Sequence, residues 1–116
     1  MILGVAAWIF GNGVAHAQSS TAHPANCYDA NDPRDIRLWA ADAPHAVGSD
    51  PCTDIPFLRV FAPDGTVAPT DLGIVLMPGG GYDRLTDTAE QTPVAEYFAD
   101  KLGITTFILY YPPGAG

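Results

Sequence analysis

Leu72-Gly73-Ile74-Val75-Leu76-Met77-Pro78-Gly79-Gly80-Gly81-Tyr82 is the stretch that decides the fold of this chain. Its first six residues are almost continuously apolar, the pattern of a strand buried on both faces. Three glycines then leave backbone N–H groups unshielded by any Cβ and free to take unusual dihedrals. A helix is expected next. Thr88 with Gln91 fits a capping box, Pro93 suits the first turn, and Gly103 suits the position just past the C-cap. Val94, Ala95, Phe98 and Leu102 share one helical face. Residues 104–111, Ile-Thr-Thr-Phe-Ile-Leu-Tyr-Tyr, are β-branched and aromatic and read as a second buried strand. Strand, helix, strand with short connections is a βαβ unit, so these two strands should run parallel.

Working outward, residues 36–39 (Ile-Arg-Leu-Trp) and 57–61 (Phe-Leu-Arg-Val-Phe) are two further strands. Trp39 and Phe57 are expected in their core. Residues 40–56 form a long loop, and Pro63-Asp64-Gly65 is a turn. Residues 18–35 are rich in Ser, Thr, Asn, Asp and Pro and form an irregular lead-in. Asp29, Asn31 and Asp32 have a faint calcium-loop spacing, but the glycine and the closing glutamate are missing, so a turn is the better reading. Residues 1–17 carry no charged side chain, and Ala15-His16-Ala17 fits a signal-peptidase site, although a basic n-region is absent. The chain is therefore expected to be secreted or periplasmic.

Apolar residues are 47% of the 116 and charged ones 16%, which marks a folded chain rather than a disordered one. The net charge of −8 argues against nucleic acid and anionic membranes as partners, since both need basic patches. The apolar N-terminal stretch is too short and glycine-broken to span a membrane. Cys27 and Cys52 are the only cysteines, and in an exported chain they allow one disulfide; two unrelated thiols are the alternative. Neither has a ligand partner at metal spacing, so no metal site is expected.

Glycines between a strand and a helix serve three chemistries. A phosphate loop needs a Lys followed by Ser or Thr, and none stands at the required place. A dinucleotide fingerprint needs a third glycine where Arg84 stands, with the helix starting at once. The oxyanion loop of acyl transfer needs only backbone donors after a strand, and the glycines here meet that requirement. A tight turn without chemistry is the plain alternative.

From residue 36 to 111 the chain resembles secreted α/β-hydrolase esterases of the xylan esterase and acetyl xylan esterase type. The resemblance is carried by Leu38-Trp39, the Gly48 loop, Asp54-Ile55-Pro56, Val60-Phe61-Ala62-Pro63, Pro78-Gly79-Gly80-Gly81-Tyr82, Glu90, Val94-Ala95 and Leu102-Gly103-Ile104-Thr105. It implies an α/β fold, the N-terminal part of the hydrolase sheet. An antiparallel strand pair would be followed by the βαβ unit in a mixed sheet, with strand 104–111 inserted between strands 57–61 and 72–77. It implies oxyanion donors on the backbone of Gly80, Gly81 and Tyr82, acylated carbohydrate as substrate, and no cofactor. Tyr82 would pack beside the pocket or serve as an ordinary packing aromatic. Glu90 would brace the loop or act as a carboxylate favoured at a helix N-terminus.

The family's nucleophile lies in Gly-x-Ser-x-Gly downstream of this loop, followed by an acid and a histidine. Here Ser19, Ser20, Ser49, His16, His23 and His45 all precede the loop, so no triad can be drawn. Ser49 and His45 are read as loop residues rather than an improvised pair. Residues 36–116 are thus expected to be a truncated hydrolase domain, inactive alone. The strand at 72–77 would then be left with an open edge prone to self-association. A secreted carbohydrate- or protein-binding module, using that edge or Trp39, Phe57, Tyr82 and Tyr110, and a non-functional gene remnant are the alternatives.

Overall fold

The computed structural model describes residues 26–80, 85 and 91–112. Strand β1 (Asp35–Arg37), β2 (Phe57–Phe61), β3 (Gly73–Leu76) and β4 (Thr105–Tyr110) form one mixed sheet in the order β1-β2-β4-β3. Among the described residues a single helix, α1 (Thr92–Glu96), precedes β4, and it continues with π geometry over Tyr97–Lys101. The class is α/β on a small scale. β1 and β2 pair antiparallel, as do β2 and β4, whereas β3 and β4 run parallel, from Gly73↔Thr105 to Leu76↔Ile108. Strand 105–110 therefore sits between β2 and β3, where its β-branched residues gain cross-strand neighbours on both sides.

Among the described residues, only one face of the sheet is covered. Along β4, Thr106, Ile108 and Tyr110 are buried while Thr105, Phe107 and Leu109 are only half-buried. The buried side meets Ala95 of α1, Phe57 of β2 and, more peripherally, Tyr28, Phe61, Leu76 and Leu85. Phe57 stacks on Tyr110 with centroids 4.5 Å apart, and Tyr28 tilts against Phe57 at 5.7 Å. Burying one such ring contributes about 2–3 kcal/mol. The opposite face carries Ile36, Leu58, Val60, Val75, Phe107 and Leu109, and no helix lies on it among the described residues.

That asymmetry corrects two expectations. Strand 104–111 is buried on one side only, and the strand expected at 72–77 is not buried on both faces. Gly73 and Val75 are exposed because β3 is the last strand of the sheet and its outer face is uncovered. A continuous apolar run does not report how many layers cover it. Trp39 is a third correction, for it lies outside β1 and is 41% exposed, whereas Phe57 is 1% exposed. The helix also differs. Thr88 lies outside the described residues, and Gln91 is the N-cap residue, buried, without a side-chain cap bond. Pro93 stands in the first turn as expected. Leu102, expected on the packed face, is exposed, and Ala95 and Ala99 take the buried positions.

Gly103 turns the chain from helix to β4. Its φ is 66°, and its N–H donates to Ala99 O at 3.0 Å. Its carbonyl accepts from Thr70 N–H at 2.7 Å and from Thr70 Oγ1 at 3.1 Å. A Cβ added here would run into the Ala68 carbonyl, so both the dihedral and the close approach require glycine.

Candidate functional site

Because β3 and β4 are parallel, their carboxyl ends open on the same side, where ligands bind in open α/β sheets. Pro78-Gly79-Gly80 leaves β3 there, and Tyr111-Pro112 leaves β4 beside it. Pro78 is buried, Gly79 is exposed and Gly80 is half-buried. The Tyr111 hydroxyl donates to the Pro78 carbonyl at 2.6 Å, which ties the first residue of the glycine loop to the end of the neighbouring strand. Of the expected oxyanion residues, Gly80 stands at this carboxyl end. Gly81, Tyr82 and Glu90 lie outside the described residues.

Beside this loop is an apolar hollow of about 310 Å³, walled by Leu38, Trp39, Ala43, Pro44, Pro56, Leu109, Tyr111 and Pro112. No charged side chain lines it. The register fixes its position, because Leu109 stands near the end of β4, Tyr111 follows that strand, and the Leu38 N–H is bonded to Pro56 O at 3.2 Å. A larger groove of about 520 Å³ lies between Arg34 and Phe61 on one side and Glu96, Ala99 and Asp100 on the other. Phe61 pairs with Thr106, so this groove is at the amino end of β4, away from the glycine loop. The larger groove and the glycine loop are thus at opposite ends of β4.

The strongest electrostatic feature was not singled out in the sequence. Arg59 Nε donates to Asp35 Oδ1 at 2.6 Å and Nη2 donates to Oδ2 at 2.7 Å, a bidentate pair whose side chains are 9% and 0% exposed. Nη2 also donates to Cys27 O at 3.1 Å, and the guanidinium lies 5.3 and 5.4 Å from the Phe57 and Tyr110 ring centroids. The hydrogen bonds to Asp35 push the Arg59 pKa further up, and burial pushes the Tyr110 hydroxyl up. Asp35 accepts Asp29 N–H as well, at 3.0 Å. Cys27, 2% exposed, is disulfide-bonded to Cys52. Together these bonds clamp the segment before β1 onto the sheet. The signal was available: Phe57, Arg59 and Phe61 share one strand face, and an arginine between two core rings demands a carboxylate.

Other candidates separate. Ser49 and His45 are both exposed in the loop between β1 and β2, and no hydrogen bond joins them. Ser19, Ser20, His16 and His23 lie outside the described residues. Asp29 Oδ1 accepts the Asn31 N–H at 2.8 Å and Asp32 is gripped by Arg34 at 2.7 Å, which makes this stretch a hydrogen-bonded turn. Among the described residues, no three His, Cys, Asp or Glu side chains are grouped to hold a metal ion. No helix among them is long and apolar enough to cross a membrane. Phe57 and Tyr110 are both core rings and do not form a binding face; Trp39 is exposed, and Tyr82 lies outside the described residues.

Compared with protein-family models, with curated proteins and with solved structures, the chain matches nothing.

Proposed function

We propose that this chain carries the oxyanion loop of a secreted serine esterase of the α/β-hydrolase type, acting on O-acylated, xylan-like carbohydrate. The observation that carries the reading is the position of Pro78-Gly79-Gly80 at the carboxyl end of β3, next to parallel β4, in the strand order β1-β2-β4-β3. Backbone amides there would meet the negative charge that develops on an acyl carbonyl oxygen when a hydroxyl attacks it. The attacking serine, its base and its acid would be encoded beyond this loop, with the acyl-enzyme then hydrolysed by water. The Cys27–Cys52 disulfide supports export, because such bonds persist in oxidising compartments. The edge of β3, unpaired among the described residues, with Val75 exposed, supports self-association of the chain, which gel filtration would read as a concentration-dependent mass.

The test has two arms. Turnover of p-nitrophenyl acetate by residues 1–116 should not exceed the buffer rate. Sequencing the coding DNA past codon 116 should reveal Gly-x-Ser-x-Gly, and in that longer product Gly80→Val should lower kcat by roughly 10²–10³. Activity of the 116-residue chain, or no serine motif in any frame, would overturn the proposal. A second reading, a binding module, is favoured by exposed Trp39 alone, and retention on insoluble xylan would support it.

A further inference from the structure

We infer that the hollow between Trp39 and Tyr111 is a binding site for a flat, apolar acyl or aryl group, and that Tyr111 couples its occupancy to the glycine loop. The walls decide the chemistry of the occupant. Two aromatic side chains, three prolines, two leucines and an alanine line an open hollow of about 310 Å³, the low end of the size range of small-molecule pockets. Prolines hold their backbone nearly fixed, so much of the hollow exists before a ligand enters. No lining side chain is charged.

Hydrogen bonding narrows the choice further. The lining side chains hold two polar groups. One is the Tyr111 hydroxyl, which already donates to Pro78 O at 2.6 Å. The other is the Trp39 indole N–H, which donates and cannot accept. A hydroxyl-rich pyranose seated here would leave most of its hydroxyls without side-chain partners, which opposes its burial. A ring or short chain bearing a single ester carbonyl leaves nothing unpaired. The hollow therefore suits the acyl side of an ester rather than its sugar side. Naming the group as acyl rests on the esterase reading; the binding of a flat apolar molecule does not.

Tyr111 gives the hollow a mechanical link to the loop. Its ring is a wall of the hollow, and its hydroxyl holds the residue that starts the glycine run. A molecule packed against that ring fixes the hydroxyl and, through it, the Pro78 carbonyl. Tyr111 is thus a positioning residue for the backbone of Gly79 and Gly80.

Methyl cinnamate is the probe, titrated into the oxidised 116-residue chain and followed by ¹H–¹⁵N spectra. The Trp39 indole signal, assigned with Trp39→Phe, and the Gly79 and Gly80 amides should shift saturably and together. Methyl β-D-xylopyranoside should shift none of them. Trp39→Ala should weaken binding by about 10-fold or more, as loss of a stacking ring does. Trp39 lies outside every strand and is partly exposed, so this variant keeps its fold. Tyr111→Phe should bind within roughly 2-fold of the parent, since the ring remains, but its Gly79 and Gly80 amides should no longer follow the ligand. No saturable shift with methyl cinnamate, binding indifferent to Trp39→Ala, or equal binding of the xyloside would overturn the site. Amides that move equally in Tyr111→Phe would overturn the coupling. The serine motif, read from DNA, reports on the esterase reading independently of all these outcomes.

Discussion

Removing either half of the Asp35–Arg59 pair should cost more than removing both. Asp35 is fully buried and Arg59 nearly so, and their two hydrogen bonds of 2.6 and 2.7 Å neutralise each other's charge. In Asp35→Leu the guanidinium loses both hydrogen bonds to its carboxylate while staying buried against Cys27 O and the faces of Phe57 and Tyr110, and a buried charge stripped of its counter-ion costs about 3–5 kcal/mol. In Arg59→Met the carboxylate keeps only the Asp29 N–H, and Cys27 O loses this donor, with a cost of the same order. The double variant Asp35→Leu/Arg59→Met removes both charges and replaces them by apolar volume, so it should lie within about 1–2 kcal/mol of the parent. Urea unfolding of the oxidised protein, followed by far-ultraviolet circular dichroism, reads these differences. With a slope of ~1–2 kcal/mol per molar urea, each single variant should lose about 2 M or more in midpoint. If the double variant falls by the sum of the two single losses, the charges were never coupled and the reasoning fails.

Three other outcomes follow from the same structure. Reducing the Cys27–Cys52 bond, whose sequence separation is 25, should lower stability by about 3.5 kcal/mol by the loop-entropy model, read as a urea midpoint with and without reductant. Gly103→Ala should cost about 2 kcal/mol or more, from left-handed strain plus the approach to Ala68 O, and a variant as stable as the parent would contradict both terms. The hydrogen bond from Arg34 holds the Asp32 carboxyl down from 3.8 to about 2. Since the folded-state value is the lower one, this contribution is complete above about pH 5 and is lost as the pH falls through about 2. Solvent screening of the half-exposed Arg34 limits it to about 1 kcal/mol or less. Asp32→Asn should therefore be less stable than the parent at pH 6 and equal to it at about pH 1; a gap that persists there would assign the effect to something other than this ionisation.

The strands were legible because their signals are local. Phe57–Phe61 has the bounds its alternation gives, and β3 and β4 are each one residue shorter at either end than their apolar runs. Gly103 was readable as a helix stop because a positive φ leaves few other residue types comfortable there. Burial was less legible. Val75 and Ile108 look alike in a sequence, yet one lies on the open face of the edge strand and the other under α1, a difference that depends on what packs above them. Trp39 reads as a strand residue by type, but β1 ends at Arg37, where the chain enters the loop that walls the hollow. At the candidate site, the glycines and the strand before them were visible as a motif. The Tyr111–Pro78 hydrogen bond was not, because it joins residues 33 apart that only the parallel pairing of β3 and β4 brings together.

The cystine that fastens residue 27 to residue 52 also governs how the protein comes apart under a protease. Residues 44–50 between its two ends are all exposed, with Val47 85% accessible, so thermolysin should cut there first. Both products of that cut stay covalently joined. An electrophoresis lane without thiol would show an undivided species where a lane with thiol shows two, and a nicked preparation would pass for intact material until it is reduced.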